Sequence, residues 1–240
     1  MKGETIAVCK GILFAGLLSL NTGCATTGAG DSRDPFEGFN RGVYSFNQTM
    51  DEILFDPIGN VYKAITPEIV DRGVTNFFSN LNDIAVVANG LLQFKINQAL
   101  TDTLRFIYNS TFGVLGFFDI STPIGMPKHD EDFGQTLAVW GLGSGPYLMV
   151  PFFGPTTLRD ATGFIVDRGV LSPIFYLDSA EAKAGLLTLN YIDFKSDLLS
   201  TKKLIGDAAL DEYEFVKNAY FEKRANQIND GVTEVPDFSE

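Results

Sequence analysis

The sequence has 240 residues, of which 45% are hydrophobic, and it carries a formal net charge of -12 with a pI near 4.5. That length is enough for one sizeable core, so we predict a single folded domain. The acidic balance argues against nucleic acid as a partner and against attraction to anionic lipid head groups, because both depend on Lys and Arg. Any contact with a membrane must therefore use apolar surface or a covalent anchor.

The N-terminal stretch MKGETIAVCKGILFAGLLSLNTGCATT has the pattern of an export signal. Two lysines supply positive charge, and an apolar run from 11 to 20 follows them. That run is too short to cross a bilayer, which takes about 20 apolar residues. One interpretation is an ordinary secretory signal cleaved nearby. The other is a bacterial lipoprotein signal cleaved before Cys24, since Gly23 and Cys24 resemble the end of a lipobox, although Asn21 stands where that pattern usually has Leu.

The lipoprotein interpretation divides the chain into four parts. We predict a lipoprotein signal peptide at 1–23, a flexible tether at 24–33, a helical domain at 34–228 and a disordered tail at 229–240. The predicted lipidation site is Cys24, and stable anchoring there needs two or more acyl chains, at ~0.8 kcal/mol per buried CH₂. Ala25, rather than Asp, follows the cysteine, which resembles lipoproteins sent to the outer membrane of enteric bacteria.

The first predicted helix begins in the stretch DPFEGFNRGVYSFNQTM. Asp34 is a candidate N-cap, Pro35 fits the first helical position, and Glu37 completes a capping box. Apolar residues then recur every three or four positions, which predicts one helical stripe. The stripe consists of Phe36, Phe39, Val43, Phe46, Met50 and Ile53. We expect the helix to end within Phe55-Asp56-Pro57, because a residue before proline avoids helical backbone.

Apolar periodicity and capping residues predict the later helices. They are expected at about 71–94, 97–112, 156–168, 180–199 and 207–228. Asn97 and Thr156 are candidate N-caps, Gly113 is a candidate stop, and Asp132 is expected to cap a further short helix through Trp140. No run of alternating residues predicts a strand.

The segment from 113 to 155 combines two features that rarely occur together. It holds eight Gly and five Pro in 43 residues, which is typical of a loop, yet it is also rich in large apolar side chains. A solvated linker would not be so apolar. Two interpretations remain open, namely an irregular buried loop and a segment that packs against lipid or lines a lipid path.

Catalytic and metal-binding motifs are poorly supported. A nucleophile elbow centred on Ser144 needs glycine at positions that hold Leu142 and Pro146, and a histidine-based triad would have to use His129, the one histidine of the chain. His129 lies in the charged turn PKHDED, where we expect it to be solvated, and this turn lacks the ligand spacing of an EF-hand. We therefore predict no enzyme activity, no metal and no cofactor, and we keep a lipid hydrolase as a third, disfavoured class.

Five motifs occur in order over residues 34–224. They are DPFEGFNRGVYSFN, FFSNLND, TLRFIYNSTFGVLGFFDIS, DFGQTLAVWGLGSGPYLMVPFFGPTTLRD and AYFEKR. Together they resemble the motifs of the MlaA/VacJ family of outer-membrane lipoproteins, and the fourth is the most specific.

This resemblance implies a mainly α fold, a ring-like bundle of amphipathic helices with an irregular Gly/Pro-rich segment, monotopic in the inner leaflet of the outer membrane. It also implies an amphipathic channel, association with an outer-membrane porin trimer, and transfer of phospholipid to a soluble periplasmic phospholipid carrier. The implied task is removal of mislocalised phospholipids from the outer leaflet, on the periplasmic side of a Gram-negative outer membrane. The alternative is a structural lipoprotein that stabilises a porin assembly without moving lipid.

Under this resemblance, residues of the two most conspicuous segments become candidates for the lipid path. The aromatic candidates are Phe117, Phe118, Trp140, Phe152 and Phe153, for which core packing explains the sequence equally well. Arg159 and Asp160 end the most specific motif, and they either pair structurally or meet a lipid head group.

Overall fold

The protein is described by a computed structural model over residues 31–231. The predicted signal peptide, the predicted lipidation site Cys24 and residues 232–240 lie outside the described residues. The described chain is mainly helical, which confirms the predicted class. Its helices are α1 (Glu37–Met50), α2 (Asp56–Ile65), α3 (Glu68–Leu92), α4 (Ile96–Phe112), α5 (Phe133–Val139), α6 (Leu158–Val166), α7 (Ala180–Ala208) and α8 (Glu212–Ile228).

The start of α1 differs from the prediction. Phe36 occupies the N-cap position without a side-chain bond, and the Asp34 carboxylate is buried instead. One carboxylate oxygen of Asp34 accepts a hydrogen bond from Asn40 Nδ2 at 2.7 Å, and the other accepts one from the Tyr213 hydroxyl of α8. The predicted cap is therefore wrong, because the side chain joins the first helix to the last one rather than closing its own helix.

The predicted end of α1 at Pro57 is also wrong. A π-helical turn, Asp51–Phe55, follows α1 directly, and α2 continues from it with Pro57 in its first turn. Proline inside a regular α-helix removes a hydrogen bond and clashes with the carbonyl four residues earlier. The wider π turn lies immediately before the proline and relieves that constraint, so the chain stays helical from 37 to 65.

The Gly/Pro-rich segment is more regular than expected. Asp132 caps α5 by accepting a 2.9 Å hydrogen bond from the Gln135 backbone N–H, and Trp140 is the C-cap, which confirms that prediction. Contrary to the prediction of no strands, an antiparallel hairpin joins β1 (Tyr147–Val150) to β2 (Gly154–Thr157). Strands of four residues are too short to show a clear alternation in sequence.

The hairpin carries much of the small apolar core. Tyr147 and Met149 of β1 are buried against Tyr213 of α8, and partly buried side chains of α1 and α8 surround them. The partly buried set is Val43, Tyr44, Val216, Tyr220 and Phe221. In the described chain, buried polar and charged side chains outnumber buried hydrophobic ones, while many large apolar side chains are exposed. This distribution is the reverse of the one expected in a water-soluble domain.

Apart from the hairpin core, a close helix–helix contact holds α3 and α4 together. Gly90 of α3 lies against Ala99 of α4, and a Cβ added at Gly90 would meet the Ala99 Cβ at 3.3 Å. Within residues 31–231 no helix has the length and apolar character needed to cross a membrane.

Candidate functional site

Helix α4 buries a mostly polar face and exposes an apolar one, the reverse of a helix in a water-soluble protein. The buried face consists of Ala99, Asp102, Arg105 and Asn109. The exposed face is apolar, and its residues recur at the spacing that sequence reasoning identified. They are Ile96, Leu100, Leu104, Ile107, Tyr108 and Phe112, of which Phe112 is 68% exposed. Apolar periodicity therefore predicted the helix correctly, but the apolar stripe does not face a core.

The polar face of α4 fixes the loop that follows the helix. Arg105 donates to the Thr122 hydroxyl at 3.0 Å and to the Asp119 carboxylate at 3.2 Å. The Asn109 side-chain oxygen accepts from the backbone N–H groups of Ile120 and Ser121 at 3.0 and 3.1 Å. These bonds explain why the face is polar, because they satisfy loop groups that would otherwise be buried without a partner.

His129 belongs to the same arrangement. Its Nδ1 lies 3.0 Å from both carboxylate oxygens of Asp102, a residue of α4 that is only 1% exposed. The expectation of a solvated surface histidine is wrong, since the ring closes the polar face of α4. The Ser144 hydroxyl, the nucleophile that a triad would need, donates to the Gly145 carbonyl at 3.2 Å and not to His129.

Exposed apolar residues also mark α1 and its surroundings. Phe36, Phe39 and Phe46 are each 41–57% exposed, while Val43 packs toward the core. A shallow apolar groove of about 440 Å³ runs along this helix between Gly38, Gly42 and the hairpin residue Phe152. The predicted stripe is thus divided between core and surface.

The predicted aromatic site residues are placed in separate parts of the molecule. Phe117 packs across Gly73 near the start of α3, where a Cβ would meet its ring at 2.1 Å, and Phe118 stands edge-to-face with it at 5.1 Å. Trp140 lies near the other end of α3, where its Nε1 donates to the Leu92 carbonyl at 3.2 Å. Gly73 and Leu92 are about 28 Å apart along a helix, so the structure does not bring these residues together.

The two hairpin phenylalanines form a third group. Phe152 contacts Phe46 edge-to-face at 5.4 Å, and its carbonyl accepts a 2.9 Å bond from the Tyr191 hydroxyl of α7. Phe153 contacts Phe164 of α6 at 5.3 Å and is 59% exposed. These contacts tie the hairpin turn to α1, α6 and α7.

Arg159 and Asp160 are paired in a buried cluster. The Arg159 Nε donates to Asp160 at 3.0 Å, and Arg224 of α8 donates to Asp160 at 2.8 Å and to Asp132 at 2.6 Å. The Tyr220 hydroxyl also donates to Asp160. Asp132, Arg159, Asp160, Tyr220 and Arg224 are called the closed cluster below. It joins α5, α6 and α8.

Charge pairing sets the ionisation of the closed cluster. Burial alone would raise the pKa of Asp160, but the hydrogen bonds and charge of Arg224, with bonds from Tyr220 and Arg159, lower it to about 2. The helices approach closely at this point, since a Cβ on Gly163 of α6 would meet the Gly134 backbone of α5 at 2.3 Å. Both Asp160 oxygens thus already have several donors, which is the arrangement of a structural pair.

A different group of residues lines a cavity of about 450 Å³ between α3, α7 and the π-helical turn Asp167–Leu171 that follows α6. Its polar wall includes Thr75, Ser79, Asn82 and Asn190. Its apolar wall includes Phe78, Leu81, Ile174 and Phe194. None of the residues predicted for the lipid path lines this cavity. Sequence reasoning missed it, although Thr75, Ser79 and Asn82 form a polar stripe at helical spacing within the largely apolar α3.

The carboxylates around the cavity have donors of their own. Asp193 accepts from the Thr75 hydroxyl at 3.0 Å and from the Tyr62 hydroxyl at 3.1 Å, and burial raises its pKa despite these bonds. Asp197 accepts from the Lys63 ammonium at 2.7 Å. These carboxylates are therefore occupied, and the cavity presents both polar and apolar surface.

Asp167 and Lys128 complete the charged wall. Asp167 accepts from Asn89 Nδ2 and from the Phe133 backbone N–H, each at 2.9 Å, and burial raises its pKa. Lys128 donates to the Ser79 carbonyl at 2.9 Å and pairs with Asp83. Across residues 31–231 no group of three or more His, Cys, Asp or Glu side chains has the geometry to hold a metal ion.

Comparisons with known proteins agree on one family. The family model described as "MlaA lipoprotein" matches residues 32–227. The chain is 33% identical over 219 residues to the "Intermembrane phospholipid transport system lipoprotein MlaA" of Shigella flexneri, covering 89% of this chain and 86% of that protein. It is 31% identical over 212 residues to an uncharacterized protein of Rickettsia felis, covering 88% and 84%.

A solved structure shares the fold. It is described as "Structural basis for maintenance of bacterial outer membrane lipid asymmetry", and it superposes with a TM-score of 0.72 at 30% identity. The match covers 82% of this chain and 99% of that one.

Proposed function

The chain belongs to the MlaA lipoprotein family, and from that premise we propose that it removes mislocalised phospholipids from the outer leaflet of the outer membrane and so maintains lipid asymmetry. In this proposal phospholipid enters through the cavity and passes to a soluble periplasmic carrier. The protein acts without a covalent step. The relatives named for phospholipid transport support the process, and the residues of the cavity support the route.

The observation that carries the proposal is that α4 buries its polar face and exposes its apolar face. Each large apolar side chain gains about 1.5–3 kcal/mol on leaving water. A row of such side chains facing water would be costly, whereas the same row facing acyl chains is stable. The polar face of α4 is meanwhile satisfied inside the protein. We propose that α4 and the exposed side of α1 lie in the inner leaflet of the outer membrane, with no helix crossing it.

The cavity suits the polar part of a lipid. Its volume of about 450 Å³ lies within the range of small-molecule sites, about 300–1,000 Å³. A head group can bind along the polar wall of α3 while the first part of the acyl chains contacts the apolar wall. The exposed aromatic residues Phe118, Trp140 and Phe153 are proposed to contact membrane lipid rather than the head group.

The anchor and the partners are the remaining parts of the proposal. Cys24, at the end of an export-signal pattern, is proposed to carry the lipid anchor at the start of the proposed tether, residues 24–33. An outer-membrane porin trimer is proposed to hold the protein in place. The carrier would accept lipid on the periplasmic side.

The test is deletion of the gene followed by labelling of phospholipid on the cell surface. We expect outer-leaflet phospholipid to rise and to return to its original level when the wild-type chain is supplied again. Unchanged surface phospholipid in the deletion strain would reject transport. If the porin assembly were lost at the same time, the structural role would explain the protein instead.

A further inference from the structure

Arg168 differs from the other charged residues of the cavity. It lines the cavity at the start of the π-helical turn Asp167–Leu171, and it is accessible to solvent. Lys128, the other cation of the lining, is paired with Asp83. Arg168 has neither a carboxylate within 4.0 Å nor a side-chain hydrogen bond to any residue of the described chain. Its guanidinium carbon lies 5.2 Å from the Phe164 ring centre.

Among the described residues, no carboxylate that faces the cavity forms an ion pair with Arg168, and only the charge of the neighbouring Asp167 acts on it. Asp193 is held by two hydroxyl groups, Asp197 is paired with Lys63, and Asp167 accepts from an amide and a backbone N–H. Asp130 is exposed and forms no ion pair with a residue of 31–231. Arg168 thus belongs to the cavity lining, and its five N–H donors have no protein acceptor in the described chain.

This arrangement leaves a partly hydrated cation without an ion-pair partner in the described chain. Surrounding atoms desolvate the guanidinium and lower the pKa of Arg168, and the charge of Asp167 opposes that only in part. A partly desolvated cation without a partner is unfavourable. An anion that enters the cavity would relieve this cost, so the site favours a negatively charged ligand.

We propose that Arg168 binds the phosphate of a glycerophospholipid head group inside the cavity, an inference that rests on the proposed function. A phosphodiester is singly charged at neutral pH and offers two free oxygens. A guanidinium matches this shape with two parallel N–H···O bonds, which a point-charge ammonium cannot do. The contact with Phe164 restricts the orientation of the guanidinium before the ligand arrives.

The apolar wall argues for a lipid rather than a free phosphate ion. Phe78, Leu81, Ile174 and Phe194 would remain unused by a small anion, whereas the glycerol and acyl carbons of a phospholipid would cover them. Arg168 therefore fixes the depth of the head group, and the apolar wall covers the carbons attached to it.

The test measures binding of fluorescent phosphatidylglycerol to the purified full chain in detergent. We compare wild type with Arg168→Gln and Arg168→Lys. Arg72→Gln is the matched control, because the Arg72 side chain is 72% exposed and pairs with Glu68 outside the cavity lining. We expect Arg168→Gln to bind about tenfold more weakly, the usual worth of a charge-assisted hydrogen bond. Arg168→Lys should fall between the two, and Arg72→Gln should match wild type.

Two further ligands separate the sources of the effect. Fluorescent diacylglycerol, which has no phosphate, should bind wild type and Arg168→Gln equally, and this also shows that the variant is folded. Millimolar inorganic phosphate should displace phosphatidylglycerol poorly. Equal binding of phosphatidylglycerol by wild type and Arg168→Gln, or equal loss of both lipids, would overturn the assignment. Displacement by inorganic phosphate at the affinity of the lipid would identify a free-anion site instead.

The gene-deletion experiment keeps the two proposals apart. If deletion leaves surface phospholipid unchanged while Arg168→Gln still weakens phosphatidylglycerol binding, the transport proposal fails and the phosphate contact stands. If deletion raises surface phospholipid and Arg168→Gln fully restores the normal level and binds lipid normally, the contact fails and transport stands.

Discussion

The closed cluster and the cavity both contain a buried aspartate, and the two residues behave in opposite ways. Asp160 in the closed cluster is surrounded by Arg159, Arg224 and Tyr220, and its pKa is lowered to about 2. Asp193 at the cavity accepts from neutral hydroxyl groups, and burial raises its pKa. Pairing with cations stabilises the charged form of Asp160. Asp193 has no such cation, so burial makes its charged form less favourable. The difference separates polar groups that hold the fold from those that a ligand can reach.

Breaking the closed cluster should produce the largest effect. Arg224→Met leaves Asp132 and Asp160 without their shared cation, and we expect a loss of about 3–5 kcal/mol in the free energy of unfolding. Chemical unfolding of the purified chain in detergent, followed by circular dichroism, measures it. Arg72→Met is the control, since an exposed pair contributes under about 1 kcal/mol. Equal stability of the two variants would show that the cluster does not hold the helices.

A smaller effect should follow from Asp160→Asn, and it should depend on pH. Because the native pKa of Asp160 is lowered to about 2, its carboxylate stabilises the fold above its unfolded pKa, about 3.9, and that contribution disappears as the pH falls to about 2. We expect wild type to exceed the variant by about 2 kcal/mol at neutral pH. Unfolding at several pH values should show the two converging in acid, and a constant difference would contradict the pairing.

The same substitution at the cavity should not destabilise the protein at neutral pH. Because the native pKa of Asp193 is raised, its contribution to stability is greatest below the unfolded pKa and is lost as the pH rises through the native pKa. Asp193→Asn should therefore leave stability at neutral pH unchanged or raise it by under about 1 kcal/mol. A loss as large as that of Asp160→Asn would remove the distinction between the two regions.

The smallest effect on unfolding should come from the outer face of α4. Leu104 is 47% exposed, so Leu104→Gln should change the unfolding free energy in detergent by under about 0.5 kcal/mol. On the buried face, Asn109→Leu removes the acceptor of the Ile120 and Ser121 backbone N–H groups and of the Ser121 hydroxyl, and it should cost about 1–3 kcal/mol. The Leu104→Gln protein should also bind liposomes more weakly than wild type. The reverse order of stability would mean that α4 faces a protein core.

The sequence predicted most helices, because apolar periodicity depends on local geometry. Periodicity does not say what the stripe faces, so it identified α4 without revealing that Asp102, Arg105 and Asn109 are its inward residues. The cap at Asp34 failed for a related reason, since a distant residue, Tyr213, competes for the same carboxylate. Capping rules consider only neighbouring residues, so they fail where a residue distant in sequence binds the same group.

The functional residues were harder to predict than the helices. The phenylalanines of the Gly/Pro-rich segment were predicted to line a lipid path because they are large and apolar. They lie instead in two separate places, near the start of α3 and at the hairpin turn. The cavity is assembled from α3, α7 and the turn at 167–171, which are far apart in sequence. Arg168 is conspicuous only once its neighbours are known, because an unpaired cation is a property of the fold and not of a motif.

The bond between Asp34 and Tyr213 has a mechanical consequence. Asp34 is the first residue after the proposed tether, so a pull on a membrane anchor would reach the fold at this point. Arg33 reinforces it, as its carbonyl accepts from the Tyr147 backbone N–H at 2.9 Å and its side chain bonds Asn218 at 3.2 Å. The force would be distributed over α1, the hairpin and α8, so α1 alone would not separate from the fold first. Bonds to three separate elements would thus hold the chain at the point where the proposed anchor would transmit force to the fold.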